Sequence, residues 1–155
     1  MLEINSKPYG KVKVSQDQLL TFPNGLLGFD TLSQYYLLDR EESPFFWLQS
    51  VDVTEVAFVI INPQVFKSDY RLELTTQDFY DIGLTSEKEI EDNLLHYVIV
   101  TIPPDDPNNM TANLLGPIII NKKTKAGKQA LSLNSEYNVR HNILDELEKS
   151  SGGGK

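Results

Sequence analysis

Residues 100–121 read VTIPPDDPNNMTANLLGPIIIN, and this stretch is the most informative in the chain. Two apolar segments flank a turn that is dense in Pro, Asp and Asn, which are residues that favour turns. The stretch therefore predicts two β-strands joined by a stiff loop. The loop contains no residue suited to act as an activated nucleophile. We interpret it as a rigid surface presented to a partner, not as a reaction centre.

Strand-like segments recur on both sides of this stretch. Alternation of polar and apolar residues predicts half-buried strands, and short apolar runs bounded by turns predict buried ones. The Pro23-Asn24-Gly25 turn between two of them needs a positive φ at the glycine. The predicted strands lie at 11–14, 19–22, 35–38, 45–49, 56–61, 70–74, 95–102, 111–115, 118–121 and 129–133.

Two short helices interrupt the strands. Thr75 or Thr76 can cap the first, and Ser86 with Glu89 three residues later forms a capping box for the second. Residues 142–148 give a short amphipathic helix at best. The fold class is therefore mainly β: a single-domain antiparallel β-barrel-like or sandwich fold with two short helices.

The domain is expected to span residues 1–149. Residues 150–155, SSGGGK, cannot pack a core, and we expect a flexible tail there. The chain has no apolar run near the roughly 20 residues of a membrane span, so we expect a cytoplasmic protein with no membrane partner. No amphipathic helix is long enough to hold two copies together as a helical dimer, and we expect a monomer.

Composition restricts the function classes. The 155 residues carry a net charge of −8 and contain no cysteine, which excludes disulfides, thiolate catalysis and cysteine-based zinc sites. A negative field repels phosphate backbones and attracts basic partners. Direct binding of nucleic acid is therefore not expected, whereas a basic protein partner is easy to accommodate.

Candidate reactive groups are few. His96 and His141 are the only histidines, and they lack metal-binding spacing. The oxygen-rich residues 105–109 do not follow the spacing of a calcium loop. No nucleophile elbow, P-loop or dinucleotide-binding glycine motif is present. We predict no metal, no cofactor and no enzyme activity. A small-molecule-binding or hydrolytic β-barrel is the alternative, since paired carboxylates can still meet in the fold.

A series of short motifs runs along nearly the whole chain. In order, they are TFPNG at 21–25, GF at 28–29, SPFFWLQS at 43–50, AFV at 57–59, NP at 62–63, VTIP at 100–103, NMTANL at 109–114, PIIIN at 117–121, GKQ at 127–129 and RH at 140–141. In these motifs, from about residue 9 to residue 140, the chain resembles the FliW family of flagellar assembly factors. It departs from the family pattern at Leu27, where a proline is expected, and at Gly116, where an alanine is expected; both positions affect local loop geometry.

The resemblance implies a non-enzymatic switch in flagellum biogenesis. FliW-like proteins bind flagellin in the cytoplasm. They also bind CsrA, an RNA-binding protein that represses flagellin translation. When flagellin is exported, the freed assembly factor takes up CsrA and so relieves the repression. Within the family, this antagonism is understood to act away from the RNA-binding surface of CsrA.

The candidate partner-binding residues concentrate in the loop. Amide side chains can pair with a partner's backbone, and a methionine adapts to irregular apolar surfaces. The alternative is that Asn109 and Asn113 bond their own chain and fix the loop. We expect the double substitution of Met110 and Asn113 by alanine to weaken partner binding and leave melting almost unchanged. The first-rank candidates are Asn108, Asn109, Met110, Thr111 and Asn113, and Phe45, Trp47 and Tyr70 follow as aromatic candidates that are more often core.

Overall fold

An antiparallel meander of strands forms the body of the protein. The computed structural model describes residues 1–40 and 43–152, and these contain eleven strands and three α-helices. The strands are β1 (Leu2–Ser6), β2 (Gly10–Val14), β3 (Leu19–Thr21), β4 (Gln34–Asp39), β5 (Phe45–Ser50), β6 (Ala57–Ile61), β7 (Leu94–Thr101), β8 (Thr111–Ala112), β9 (Ile118–Asn121), β10 (Gly127–Gln129) and β11 (His141–Asn142). The α-helices are α1 (Thr76–Tyr80), α2 (Glu87–Asn93) and α3 (Ile143–Gly152).

The strands form a hairpin and one large sheet. β1 pairs with β2, and the main path of the sheet runs β10-β9-β7-β6-β5-β4-β3. β8 pairs with β7 and with β11 beside this path. β4, β5 and β6 pair as antiparallel neighbours because short turns join them. The predicted mainly β, antiparallel fold is confirmed.

The two ends of this sheet meet at a seam. Thr21 at the end of β3 and Ala126 before β10 form a single parallel bridge, and the Thr21 N–H donates to the Lys125 carbonyl at 2.9 Å. A Cβ on Gly127 would lie 2.5 Å from the buried ring of Phe22, so only glycine permits this approach. The sheet therefore curves back on itself in a barrel-like form, but one bridge does not make a continuous barrel.

Side-chain alternation along β5 divides the core. Phe45 and Trp47 pack against one cluster together with Val59 of β6, as the sequence predicts from their spacing. Phe46 points to the opposite face and packs on a second cluster that contains Leu48. Apolar side chains thus cover both faces of the central strands, which explains why β6 and β9 read as nearly continuous apolar runs.

The predicted strand at 70–74 is wrong. Its alternation correctly predicts the burial of Tyr70, with Leu72 half-buried, but the backbone joins no strand ladder. The Arg71 N–H donates to the Tyr137 hydroxyl at 3.0 Å, and the Glu73 carbonyl accepts from the Leu133 N–H at 2.8 Å. The Tyr137 hydroxyl and the irregular segment at Leu133 therefore hydrogen-bond the backbone groups that a neighbouring strand would otherwise pair.

Strand boundaries also differ. β1 and β11 are not predicted, the predicted strand 111–115 is reduced to β8, and the predicted strand 129–133 lies earlier, as β10. β8 and β11 are too short to show a period in the sequence. β10 nevertheless completes the predicted hairpin with β9.

Capping side chains begin the two predicted helices. Thr75 accepts from the Asp78 N–H at 3.1 Å and starts α1, while Ser86 accepts from the Glu89 N–H at 3.1 Å and starts α2. Both predicted helices are confirmed.

The third helix is longer than expected. α3 runs to Gly152, so residues 150–152 are helical instead of belonging to a tail. The Ser150 hydroxyl donates to the Phe66 carbonyl at 3.3 Å, which ties this end of the helix to the domain. The remaining tail residues, 153–155, lie outside the described part of the chain.

Candidate partner-binding surface

The loop between β7 and β8 is built as a stiff projection. Pro103, Pro104 and Pro107 restrict its backbone, and residues 107–109 form a single 3₁₀ turn. Within the loop, the Asp106 N–H donates to the Pro103 carbonyl at 3.2 Å and the Asn109 N–H donates to the Asp106 carbonyl at 2.9 Å. The loop is therefore an ordered turn, as its composition predicts.

The base of this loop is clamped between two strands. β8 pairs Thr111 with Thr101 of β7 on one side and with Asn142 of β11 on the other. The Ile143 N–H donates to the Met110 carbonyl at 3.1 Å, which joins the loop to the start of α3. The conformation of the loop thus depends on residues near 142, some thirty positions further along the chain.

The five first-rank candidates are not equally available. Asn108 is exposed and its side chain bonds no other described residue, whereas Asn109 accepts a hydrogen bond from the Asn142 amide at 2.7 Å. Met110 is half-buried against the core cluster that contains Val59. Thr111 is half-buried in β8.

Asn113 lies after β8 and bonds within the turn that leads to β9. Its Oδ1 accepts from the Gly116 N–H at 2.9 Å, and its backbone N–H donates to the Ile99 carbonyl at 2.9 Å. The Gly116 carbonyl in turn accepts from the Gln129 amide at 2.9 Å. The alternative that Asn109 and Asn113 bond their own chain therefore describes the observed contacts. Asn108 is the candidate whose amide stays open to solvent.

The aromatic candidates lie mainly in the core. Phe45 and Trp47 are half-buried. Tyr70 is only 2% exposed and stacks on Tyr137 with 5.0 Å between ring centroids. The ring centroids of Tyr70 and His96 are 6.1 Å apart. Tyr70 is consequently not accessible to a partner in this conformation, and burial raises the pKa of its hydroxyl.

A cluster of Glu146, His141 and Lys67 supports the loop from below. His141 Nδ1 lies 2.7 Å from Glu146 Oε2, and His141 Nε2 accepts from the Asn138 N–H at 3.0 Å. The network is satisfied when Nδ1 carries the hydrogen. Lys67 Nζ lies 3.6 Å from Glu146 Oε1. This cluster fixes β11 against α3, and through β11 it fixes the clamp on the loop.

The environment of Glu146 keeps it charged. Burial by itself raises the pKa of this carboxyl, but the hydrogen bond from His141 and the charges of Lys67 and Lys149 outweigh it, and the pKa is lowered. The sequence does not single out this pair as a support. A carboxylate three residues after Ile143, on the buried face of a short amphipathic helix, is the signal that it needs a partner.

One lysine near the β9–β10 turn is paired with two carboxylates. Lys128 Nζ lies 2.8 Å from Asp78 Oδ1 and 2.9 Å from Asp81 Oδ2, and its side chain is 20% exposed. This double ion pair joins β10 to α1. Lys122 and Lys123 are exposed, as expected for a turn.

Cavities and metal sites add little to this surface. A cavity of about 410 Å³ lies beside Lys67, Asp69 and Glu146, but His141 does not line it. Both ring nitrogens of His141 already have partners, so the ring is not free to act as a general base. Among residues 1–40 and 43–152, no group of three or more His, Cys, Asp or Glu side chains is placed to hold a metal ion.

The helices of the described chain include none that is both long and apolar enough to cross a membrane.

Comparison with known proteins matches these features to one family. The sequence model of the FliW protein covers residues 3–143. The flagellar assembly factor FliW of Leptospira biflexa is 44% identical over 149 residues, covering 96% of this chain and 95% of the relative. The FliW of Thermoanaerobacter pseudethanolicus is 43% identical over 153 residues, covering 96% of this chain and 97% of the relative.

A crystal structure of a flagellar assembly factor FliW superimposes with a TM-score of 0.80 at 30% identity, covering 91% of this chain and 96% of that one. The sequence model and the solved structure thus both match most of the chain. The chain belongs to the FliW family of flagellar assembly factors.

Proposed function

We propose that this protein is a non-enzymatic, cytoplasmic switch that binds flagellin and, when flagellin is exported, binds the translational repressor CsrA. CsrA held in this complex no longer represses the flagellin message, so translation follows export. The observation that carries the proposal is the family match across residues 3–143, which includes the loop and both of its clamping strands.

The charge of the chain supports a basic partner. A net charge of −8 accelerates encounter with an RNA-binding protein, whose own surface must be positive to hold phosphates. Electrostatic steering of this kind raises the association rate more than it raises affinity. The same charge opposes direct binding of the message, so the protein acts on the repressor and not on the RNA.

The surface we propose for partner contact is the projecting face of the loop, 102–111. Asn108 presents an unused amide, and Ile102, at the start of the same loop, is 38% exposed. The carboxylates of Asp105 and Asp106 are exposed on the same loop. A stiff loop loses little conformational entropy on binding, which favours its use as a recognition surface. Phe45 and Trp47 stay second-rank candidates.

Calorimetric titration with CsrA from the same organism, repeated after saturation with its flagellin, tests the switch. Saturable heat that flagellin abolishes is expected. Heat that flagellin does not affect contradicts competition between the partners. No heat and no co-elution with either protein contradicts the proposed function as a whole.

The loop is best probed by one exposed residue. Met110→Ala with Asn113→Ala removes core packing and a loop hydrogen bond, so the contacts now predict a loss of stability from that pair. Asn108→Lys changes only the exposed surface. We expect it to weaken binding of at least one partner. Glu55→Lys, on the exposed β5–β6 turn, is the matched control and should bind normally.

A further inference from the structure

A groove between the two short helices has no role in the loop. It has a volume of about 320 Å³ and lies between α1 and α2. This volume is at the lower end of the roughly 300–1,000 Å³ typical of ligand sites, which suits an anchoring side chain better than a whole cofactor. The lining residues with apolar side chains are Leu74, Phe79, Tyr80, Leu84 and Ile90.

The shape of the groove is held by the core beneath it. Leu84 is 1% exposed and packs with Ile82, which follows α1, and with Ile119 of β9. Phe79 and Ile90 are half-buried and pack on the same cluster. Tyr80, by contrast, is 50% exposed at the rim. The groove thus has a fixed apolar floor and one large aromatic side chain available to a partner.

The charge of the chain concentrates around this groove. Residues 73–92 contain seven carboxylates and one lysine, a net charge of −6, compared with −8 for all 155 residues. Part of this charge is used internally. Asp78 and Asp81 bind Lys128, and Asp92 lies 3.2 Å from Lys88.

Among the described residues, four of the seven carboxylates have no such cation: Glu73, Glu87, Glu89 and Glu91. Glu87 and Glu91 are exposed on α2, and within the described chain no lysine, arginine or histidine lies at ion-pair distance from either. Glu87 also lines the groove itself. An apolar recess and an uncompensated negative charge therefore stand side by side.

We propose that this groove is a docking site for a segment of another protein in which a large apolar side chain stands next to a lysine or arginine. The apolar side chain fills the recess over Leu84 and against Tyr80, and the cation meets Glu87. Tyrosine is enriched at the energetically dominant positions of interfaces, and a charge pair at the edge of an apolar anchor supplies specificity.

Charge complementarity selects this occupant over others. Anionic lipid surfaces and nucleic acids are repelled by a net charge of −6 in twenty residues. A second copy of the chain would place like charges opposite each other, and their repulsion disfavours self-association through the groove. The inference goes beyond the proposed switch, because it concerns a surface separate from the loop and holds whichever protein carries the segment.

Selection from a phage-displayed library of random short peptides, with the full chain immobilised, tests the proposal. Enriched peptides are expected to pair a Leu, Phe or Trp with an adjacent Lys or Arg. A synthetic copy of the most enriched peptide is then titrated by fluorescence anisotropy against the wild type and three variants. Tyr80→Ser and Glu87→Lys should each weaken its binding at least about tenfold, and high salt should weaken binding to the wild type.

Glu55→Lys is the matched charge control, since Glu55 lies in the β5–β6 turn and does not line the groove; its affinity should stay within about twofold of the wild type. Equal melting temperatures exclude unfolding as the cause in the variants. The proposal is overturned if no peptide is enriched, if enriched peptides lack a cation, or if the groove variants bind as well as the wild type. Loss of a self-associated dimer in Tyr80→Ser would also overturn it, in favour of a second copy.

Discussion

The segment 102–117, which contains the β7–β8 loop and the β8–β9 turn, and the α1–α2 groove are held in shape by opposite means. The loop and the turn depend on polar contacts, such as Asn109 to Asn142 in the loop and Asn113 to the Gly116 N–H in the turn. The groove depends on an apolar floor centred on Leu84. Several polar side chains of this segment therefore hold its conformation, although their chemistry also suits partner binding. The apolar side chains of the groove, in contrast, both pack in the core and line a surface that a partner can reach. Substitutions that separate these two roles can test the comparison.

The largest effect is expected in the groove floor. Leu84→Ala removes a side chain that is 1% exposed and leaves a cavity beneath the groove. We expect a loss of about 2–5 kcal/mol in the free energy of unfolding, measured by urea denaturation. Leu27→Ala, at a side chain 73% exposed, is the matched control and should be nearly neutral. A cost below about 1 kcal/mol for Leu84→Ala would show that the floor is not part of the core.

The next effect concerns Glu146 in the cluster beneath the loop. Glu146→Gln keeps the shape of the side chain but removes the charge that faces His141 and Lys67. Charge-assisted hydrogen bonds contribute about 1.5–3 kcal/mol, and we expect a loss of that order in unfolding experiments at neutral pH. Glu148→Gln, on the exposed side of the same helix, should change stability little. Equal stabilities for the two variants would contradict the supporting role of the pair.

Acid titration tests in which direction the stabilisation by Glu146 changes with pH. The folded pKa of Glu146 lies below its ordinary value of 4.5, so its stabilisation is present above pH 4.5 and is lost as the pH falls through the folded pKa. The Asp78 carboxyl behaves alike: burial raises its pKa, but hydrogen bonds from Lys128 and Thr75 lower it more. Unfolding curves below pH 4.5 should therefore converge for the wild type and Glu146→Gln. A constant difference between them at all pH values would disprove the linkage.

A smaller effect is expected for the amide of Asn113, which closes the β8–β9 turn. Asn113→Ala leaves the buried Gly116 N–H without its acceptor, and we expect a cost of about 1–2 kcal/mol. Asn113→Asp keeps an acceptor oxygen and should recover most of this loss. If Asn113→Ala melts as the wild type does while losing partner binding, Asn113 is a contact residue and the turn does not depend on it.

The smallest effect on stability is expected at the exposed amide. Asn108→Ala removes no described side-chain hydrogen bond, so its free energy of unfolding should stay within about 0.5 kcal/mol of the wild type. Binding of flagellin or CsrA, measured by calorimetry on the same sample, should weaken. A destabilised Asn108→Ala would mean that this amide, like its neighbours, is used within the loop.

Features set by local chemistry were predictable from the sequence. The caps at Thr75 and Ser86, the turn at Gly25 and the alternation around Trp47 each depend on a few consecutive residues. The segment at Tyr70 shows the limit, because alternation predicts which side chains face inward but not which backbone lies beside them. Whether that neighbour is a strand or the Tyr137 hydroxyl depends on the tertiary fold.

The candidate surface was predictable only in part. The sequence locates the loop and proposes its amides, but the partner of Asn109 lies at Asn142 and cannot be read from local spacing. The same reason hides the pair of His141 with Glu146 under β11, a strand of two residues. The groove was not predicted from the sequence. It forms only because four other side chains between residues 74 and 90 come together with Leu84 in the folded chain.

The seam between Thr21 and Ala126 sets an order on folding during synthesis. Each step of the meander from β3 to β7 joins neighbours in sequence and can form as the chain emerges from the ribosome. The bridge at the seam must wait for residue 126, and until then the edge of β3 stays open to other chains. We therefore expect nascent chains stalled before Gly127 to self-associate, and chains released after the seam has formed to stay apart.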